Sequence, residues 1–375
     1  MNNIQNPKVS VIIPSYNHGD YIKEAIESVL VQDYTDFELI IVDDASSDQS
    51  VEVISTFHDP RIKFHKFIEN KGAVETLNYG IKLSRGNYIA LLNSDDSWEK
   101  GKLSAQVKIL DEDPQIGIVF TNASFIDENN QILNKKDYPW ADVFLQPNRE
   151  SGEWLEKFFF ELNCICHPSM LIRKELYSRH DLYNPGLRQL PDFSMWVNLF
   201  KYTNIRVLEE PFVRFRILSQ DRNTSADTSI NRTRNRNELY FIMHDFFDNV
   251  SDEIFIKGFQ KHFRKSGLLS QEELLCERAF MYFNIQNEIA HIYKLIGIKK
   301  INDLMAIPKL KTVLEESYNF SDKEFFEITG SFSLFDYGEH PVVNTVIKSA
   351  KSGLRKNQFF FKLARKLYHK MFRQG

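Results

Sequence analysis

Short apolar runs alternate with amphipathic helical stretches three times in the first hundred residues, and a fourth apolar run closes the series. The runs are Lys8 to Pro14, Phe37 to Val42, Ile62 to Phe67 and Tyr88 to Leu92. After the first, Ile22, Ala25, Ile26, Val29 and Leu30 recur at i, i+3, i+4, i+7 and i+8, the spacing of one helix face. A second helix is expected from near Gln49. A third is expected from Ala73 to Ser84, with Gly86 placed to stop it. This alternation predicts an α/β fold, a mostly parallel sheet with right-handed crossovers. Continuous apolarity from Tyr88 to Leu92 fits a strand covered on both faces.

In open α/β sheets ligands bind beyond the carboxyl ends of the strands. Three runs end there in polar tips: Ser15-Tyr16-Asn17, Asp43-Asp44 and Asn93-Ser94-Asp95-Asp96. One tip can hydrogen-bond a base, another a ribose, and the third can hold a metal against a diphosphate. Asp95 and Asp96 repel each other unless a cation is near. Hard oxygen ligands suit Mg²⁺ or Mn²⁺, and Mg²⁺ commonly takes one or two carboxylates plus phosphate oxygens. The competing reading is an acidic turn that caps the helix after Trp98. No Gly-x-Gly-x-x-Gly follows the first strand and no P-loop motif occurs, which argues against a dinucleotide cofactor and against a P-loop protein.

Farther along, Leu103, Val107 and Leu110 mark a helix, Ile116 to Phe120 a strand, Trp154 to Phe160 a helix and Ser169 to Arg173 a strand. Residues 127–150 are polar and irregular. Pro191 opens another helix, with Asp192 at or near its N-cap. Val207 to Ile217 holds strand-like pieces. From Ser219 to Asn237 the chain is polar and includes Arg222, Arg232, Arg234 and Arg236, as a lid over a diphosphate or a solvated linker would. Beyond Leu239 the pattern is mainly helical.

Composition excludes other classes. A formal net charge of -4 gives no general affinity for nucleic acid. Three cysteines, Cys164, Cys166 and Cys276, argue against a disulfide framework and for a reducing compartment. Cys164-x-Cys166-His167 lacks a second pair to complete a zinc site. The polar start, Met1 to Lys8, has no signal-peptide core, and no run of about 18 apolar residues occurs.

Four ordered segments carry a resemblance: Lys8 to Asn17, Phe37 to Ser46, Gly86 to Trp98 and Asp192-Phe-Ser-Met-Trp196. Together they resemble family 2 glycosyltransferases of GT-A fold over about residues 5–225. The resemblance implies a Rossmann-like sheet and transfer of a sugar from a nucleotide diphosphate, most plausibly UDP, to an acceptor hydroxyl with inversion. It implies that Pro14, Tyr16, Asn17, Asp44 and Lys71 bind the nucleotide. Asp95 then lies beside the ribose or metal, Asp96 is the direct metal ligand, and Asp192 is the catalytic base. Asn93 stands where many members have Asp. Phe215-Arg216-Ile217-Leu218 stands where many have Tyr-Arg-x-His, so a His ligand is missing and Arg216 is left as a diphosphate contact. Without the resemblance Asp192 reads as a plain helix cap. His167 either borders the acceptor pocket or is structural.

On this reading residues 1–218 form the nucleotide-sugar-binding catalytic domain, 219–237 the lid or linker, and 238–375 a mainly helical region. That region ends in a basic tail. After Glu339 there are nine Lys or Arg and no acidic residue, and Phe360, Leu363, Ala364, Leu367 and Met371 fall at helical spacing. The pattern suits an amphipathic helix on an anionic membrane surface, or else a terminal helix docked on the protein. The implied location is cytoplasmic, peripheral to the inner face of the cell membrane, with a saccharide or lipid-linked acceptor of surface polysaccharide or glycolipid assembly. Two other readings stand beside this one. A sugar nucleotidyltransferase would want a Gly-rich, Arg-containing loop, which Ser15-Tyr16-Asn17-His18-Gly19 does not supply. A non-catalytic scaffold would not be expected to keep Asp44, Asp95, Asp96 and Asp192 together.

Overall fold

The computed structural model describes residues 6–136, 138–219, 223 and 228–333. Strands and helices alternate at first: β1 (Val9–Ser15), α1 (Ile22–Leu30), β2 (Phe37–Asp43), α2 (Ser50–Ser55), β3 (Ile62–Lys66), α3 (Ala73–Leu83) and β4 (Tyr88–Leu91). Then come β5 (Ser97–Trp98), α4 (Lys102–Glu112), β6 (Ile116–Ile126), α5 (Ser151–Glu161), β7 (Leu171–Arg173), α6 (Glu175–His180), α7 (Pro191–Leu199) and β8 (Asn204–Arg216). Five helices follow: α8 (Ser229–His244), α9 (Asp252–Phe259), α10 (Gln271–Met281), α11 (Ala290–Met305) and α12 (Pro308–Tyr318). The chain through Tyr318 is one compact unit. A second unit begins at Asn319 and contains α13 (Asp322–Ser331), capped by Ser321 and Glu324.

The strands form one sheet in the order β3-β2-β1-β4-β7-β6-β8-β5. The first four are parallel, as the alternation predicts. β7 is antiparallel to both β4 and β6, so the second half is mixed. Side chains of β1 alternate between faces, as a pleated strand requires. Ile12 joins a core with α3, α5 and α7, while Val9, Val11 and Ile13 join the opposite core with α1 and α4.

Register decides what meets at the functional edge. Ser15 pairs with Asp43, and Ile12 with Leu91, so the three polar tips leave the sheet side by side. Gly86 has a different role from the helix stop expected of it. α3 already ends at Leu83, and a Cβ at Gly86 would lie 2.5 Å from the Ser10 nitrogen, so the glycine admits β1. The pieces expected from Val207 form one strand, β8, whose register with β6 shifts opposite Pro211, a residue with no N–H to give the ladder.

One correction concerns the segment after β8. Its expected loop is cut short, because α8 begins at Ser229 and takes in Arg232, Arg234 and Arg236. The Thr228 hydroxyl caps it at the Asn231 N–H, and buried Glu238, Leu239, Ile242 and Met243 anchor its second half, so a polar stretch folds as helix. Helices α9, α10 and α11 also share a core with the sheet. The Phe159 ring of α5 lies 5.0 to 5.8 Å from Phe246, Phe247, Phe259, Tyr282 and Tyr293. Aromatic side chains bury large areas each, so many of the 31 phenylalanines work here. Among the described residues no helix is long and apolar enough to cross a membrane. The basic tail lies outside them, as does Arg222.

Candidate active site

Asp43 and Asp44 both turn inward. Asp43 accepts from the Ser46 N–H at 2.8 Å and hydroxyl at 2.6 Å, and from Ser15 Oγ at 3.3 Å. Asp44 accepts the backbone N–H groups of Lys71, at 2.6 Å, and Gly72, at 2.8 Å, where α3 begins. Between them and the helix, Ala45 adopts φ +61°. That conformation costs an L-residue roughly 1–2 kcal/mol, and the carboxylate contacts on both sides hold it. Asn17, at φ +53°, accepts the Ser47 N–H at 2.9 Å, which ties the first tip to the second. Pro14 is half-buried at the end of β1. Tyr16 is 47% exposed beside it. Lys71 is exposed, with its ammonium 4.9 Å from the centre of the Phe67 ring. These residues line one edge and leave a ring and a cation free to face a ligand.

The third tip is denser. Asp95 and Asp96 are buried, and burial pushes both carboxyl pKa values up, Asp96 well up with repulsion from Asp95 added. Asp96 accepts the Arg216 N–H at 2.8 Å through one oxygen and Asn93 Nδ2 at 2.9 Å through the other. An Asp at position 93 would add a third charge, whereas Asn93 donates to the pair. Asp95 is less engaged, with His18 Nδ1 3.9 Å and Asn223 Nδ2 3.5 Å from its oxygens. His18 Nδ1 is also 2.8 Å from Ser94 Oγ. Two buried, mutually repelling carboxylates with acceptor capacity left over fit a divalent cation that finds its other ligands on phosphate and water. Among the described residues no three His, Cys, Asp or Glu side chains gather as a cation cage.

Arg216 is misplaced as a diphosphate contact. It is 1% exposed, and its three guanidinium nitrogens are used inside the protein. Nε donates to the Asp95 carbonyl at 2.8 Å, Nη1 to the Asp127 carbonyl at 3.1 Å and Nη2 to Glu24 at 2.8 Å, with Tyr21 stacked 5.0 Å away. The planar fork of arginine suits such a clamp. It holds the carboxylate tip from behind. Glu24, Asp127 and His18 complete this arrangement, and only their fold-given proximity identifies them.

Asp192 is the second residue of α7, not its N-cap, which is Leu190. Asn163 Nδ2 donates to its carboxylate at 2.9 Å. The helix end should favour the carboxylate form, but burial outweighs it and pushes the pKa up to about 6. A carboxylate with that pKa is ionised at neutral pH and still basic enough to take a proton. The buried Cys166 thiol feels both Asp96 and Asp192, so strand tip and helix start flank one short segment. All three cysteines are buried and unbridged, with thiol pKa values raised by burial, which makes them inert. His167 bonds to the Tyr183 hydroxyl at 2.8 Å, and burial holds its pKa down to about 3, so it stays neutral and structural.

Comparison with known proteins gives the family. The Glycosyl transferase family 2 profile matches residues 10–180. A glycosyltransferase of Rickettsia prowazekii is 30% identical over 262 residues, 68% of this chain and 77% of that protein. The Escherichia coli UDP-Glc:alpha-D-GlcNAc-diphosphoundecaprenol beta-1,3-glucosyltransferase WfgD is 29% identical over 261 residues, 68% of this chain and 94% of that one. The crystal structure of S. aureus TarS 1–349 in complex with UDP-GlcNAc superposes with a TM-score of 0.54, covering 83% of this chain and 91% of that one at 18% identity. That last likeness is one of fold, and it matches the expected GT-A architecture. On the profile, the relatives and the fold together, the chain is a glycosyltransferase and belongs to glycosyl transferase family 2.

Proposed function

We propose that this glycosyltransferase is inverting, assisted by Mn²⁺ or Mg²⁺, and specific for a UDP-sugar donor. The observation that carries the reading is Asp192. It is a half-buried residue whose carboxyl pKa is raised to about 6, and both it and Asp96 raise the pKa of the buried Cys166 thiol. Pro14, Tyr16, Asn17, Asp44 and Lys71 bind the nucleotide along the strand edge. Asp95 and Asp96 would hold the cation, which when bound neutralises charge on the departing diphosphate. Asp192 takes the proton of the acceptor hydroxyl as its oxygen bonds to the anomeric carbon. The bond from that carbon to the diphosphate oxygen breaks on the opposite face, which inverts the centre. Arg216 and Asn93 keep the two aspartates fixed while this occurs.

The UDP-GlcNAc named with the similar fold supports a UDP donor, and the diphosphoundecaprenol acceptor named for the E. coli relative supports a lipid-linked saccharide acceptor. Mn²⁺-dependent hydrolysis of a panel of UDP-sugars tests the reading. Full activity of the native protein in EDTA would defeat the metal assignment. UDP binding without turnover of any sugar would favour a scaffold. The nine cationic residues after Glu339 support attachment at an anionic membrane on the cytoplasmic side, each contributing about 1 kcal/mol near such a surface. Deleting residues 345–375 should then abolish sedimentation with anionic liposomes, and equal sedimentation of both forms would sink that part.

A further inference from the structure

Helix α7 carries Asp192 in its first turn but has no capping side chain of its own, because its N-cap residue is Leu190. The cap comes from α8. Glu238, 3% exposed, accepts three consecutive backbone N–H groups leading into α7. Oε1 takes that of Arg188 at 2.9 Å, and Oε2 takes those of Gln189 and Leu190, each at 2.8 Å. Three converging donors require an acceptor-only group, which among side chains is an ionised carboxylate. A glutamine there would turn its own donors toward at least one of them. The two residues are 46 positions apart in sequence, so only tertiary packing brings the cap to the helix.

We propose that Glu238 is a positioning residue for sugar transfer: it caps α7 from α8, and so fixes the place of Asp192. This rests on the reading of Asp192 as the base. Asn163 donates to Asp192 at 2.9 Å, and Cys166, Tyr183 and Glu238 are within its electrostatic reach. Asn163 does not titrate, and burial keeps the thiol and the phenol protonated. Glu238 is then a neighbouring charge that adds, in smaller measure than burial, to what makes the Asp192 carboxylate harder to form. One side chain thus has two separable effects. Its hydrogen bonds set geometry, and its charge raises the pKa of the base.

Two variants separate these effects. Infrared titration of the protein reads Asp192 directly, through the protonated-carboxyl band that Asp192→Asn removes. Glu238→Gln should lower the midpoint of that band. Glu238→Asp keeps the charge, so its midpoint should stay native, while the shortened reach releases the strap. Its amides at 188–190 should then exchange faster with solvent. In Mn²⁺-dependent turnover of UDP-glucose or UDP-GlcNAc, Glu238→Asp should lower kcat at least about tenfold with donor KM unchanged, since displacements near 1 Å cost about 10²-fold. Native exchange of the 188–190 amides, or native kcat, in Glu238→Asp overturns the proposal, whatever happens to Tm. If Glu238→Gln does not fold, the Glu238→Asp measurements decide. The base reading fails separately, when Asp192→Asn turns over at the native rate.

Discussion

The two halves of the site are built by different means. On the donor side, Asp43, Asp44, Asp95 and Asp96 stand at the ends of neighbouring parallel strands, and the sheet ladder itself brings them together. Their partners are nearby loops: Lys71 and Gly72 for Asp44, Ser46 for Asp43. On the proposed acceptor side, Asp192 sits on a helix whose start is bonded by Asn163 beyond α5 and by Glu238 of α8. Those elements pack through an aromatic core rather than a ladder. A sheet edge tolerates change in the helices behind it, whereas a base carried by packed helices does not. Donor binding and turnover should therefore respond to different mutations.

The largest separation is expected at Asp192. Asp192→Asn keeps the size and the contact with Asn163 but removes basicity, and loss of a general base costs about 10² to 10⁴ in rate. UDP and Mn²⁺ binding, measured by calorimetry, should match the native protein. Near-native transfer with lowered Tm would mean that Asp192 serves only its helix. The mirror experiment is Asp96→Ala. With UDP and Mn²⁺ at a hundredfold over Kd, ligand binding should stabilise the native protein by about 2.7 kcal/mol. The variant should lose most of that thermal shift while its fold survives. An undiminished shift would leave the metal to other ligands.

A pH profile sharpens the contrast with a smaller effect. Burial raises the Asp192 pKa to about 6, so the carboxylate proposed as the base is present above that value and disappears as pH falls through it. At saturating donor and Mn²⁺, kcat should be flat from neutral pH upward and drop about tenfold for each unit well below 6. The acid limb should be absent from whatever rate remains in Asp192→Asn. An acid limb unchanged in that variant would assign it to another group.

Much of the strand edge proposed as the donor side was legible in the sequence because strands are local and their ends are marked. Apolar runs such as Phe37 to Val42 stop at acidic residues, and a parallel sheet leaves such ends on one edge. What failed there was a buried role. Arg216 looked available for a diphosphate, and only the fold reveals Glu24 and the Asp95 and Asp127 carbonyls around it. The acceptor side was legible only as Asp192 itself. Its environment depends on contacts such as Asn163 to Asp192 and Glu238 to Leu190, separated by 29 and 48 residues, which no periodicity encodes. Even its protonation was argued from the helix end, and burial proved the larger effect. The segment after Ser219 failed for a related reason. Its polarity hid a helix held mainly by its buried second half.

The smallest expected effect on chemistry belongs to Asp44. Its carboxylate accepts two N–H groups at the start of α3, where Gly72 adopts φ +90° and offers no side-chain cap. Asp44→Asn keeps one acceptor oxygen but turns an NH₂ toward the other N–H. Hydrogen bonds to charged groups contribute about 1.5–3 kcal/mol each, so stability should fall by about that much. The loop bearing Lys71 should loosen with it, and UDP affinity should weaken, by about tenfold at most for a single imperfect contact near 1.4 kcal/mol. At saturating UDP-sugar, however, kcat should be native, because the ladder between β1, β2 and β4 still presents Asp95 and Asp96 as before. Calorimetric UDP affinity and kcat, measured on the same preparation, give the answer. A kcat loss near that of Asp192→Asn, with donor saturated, would mean that the two halves are coupled and that the sheet edge does not act alone.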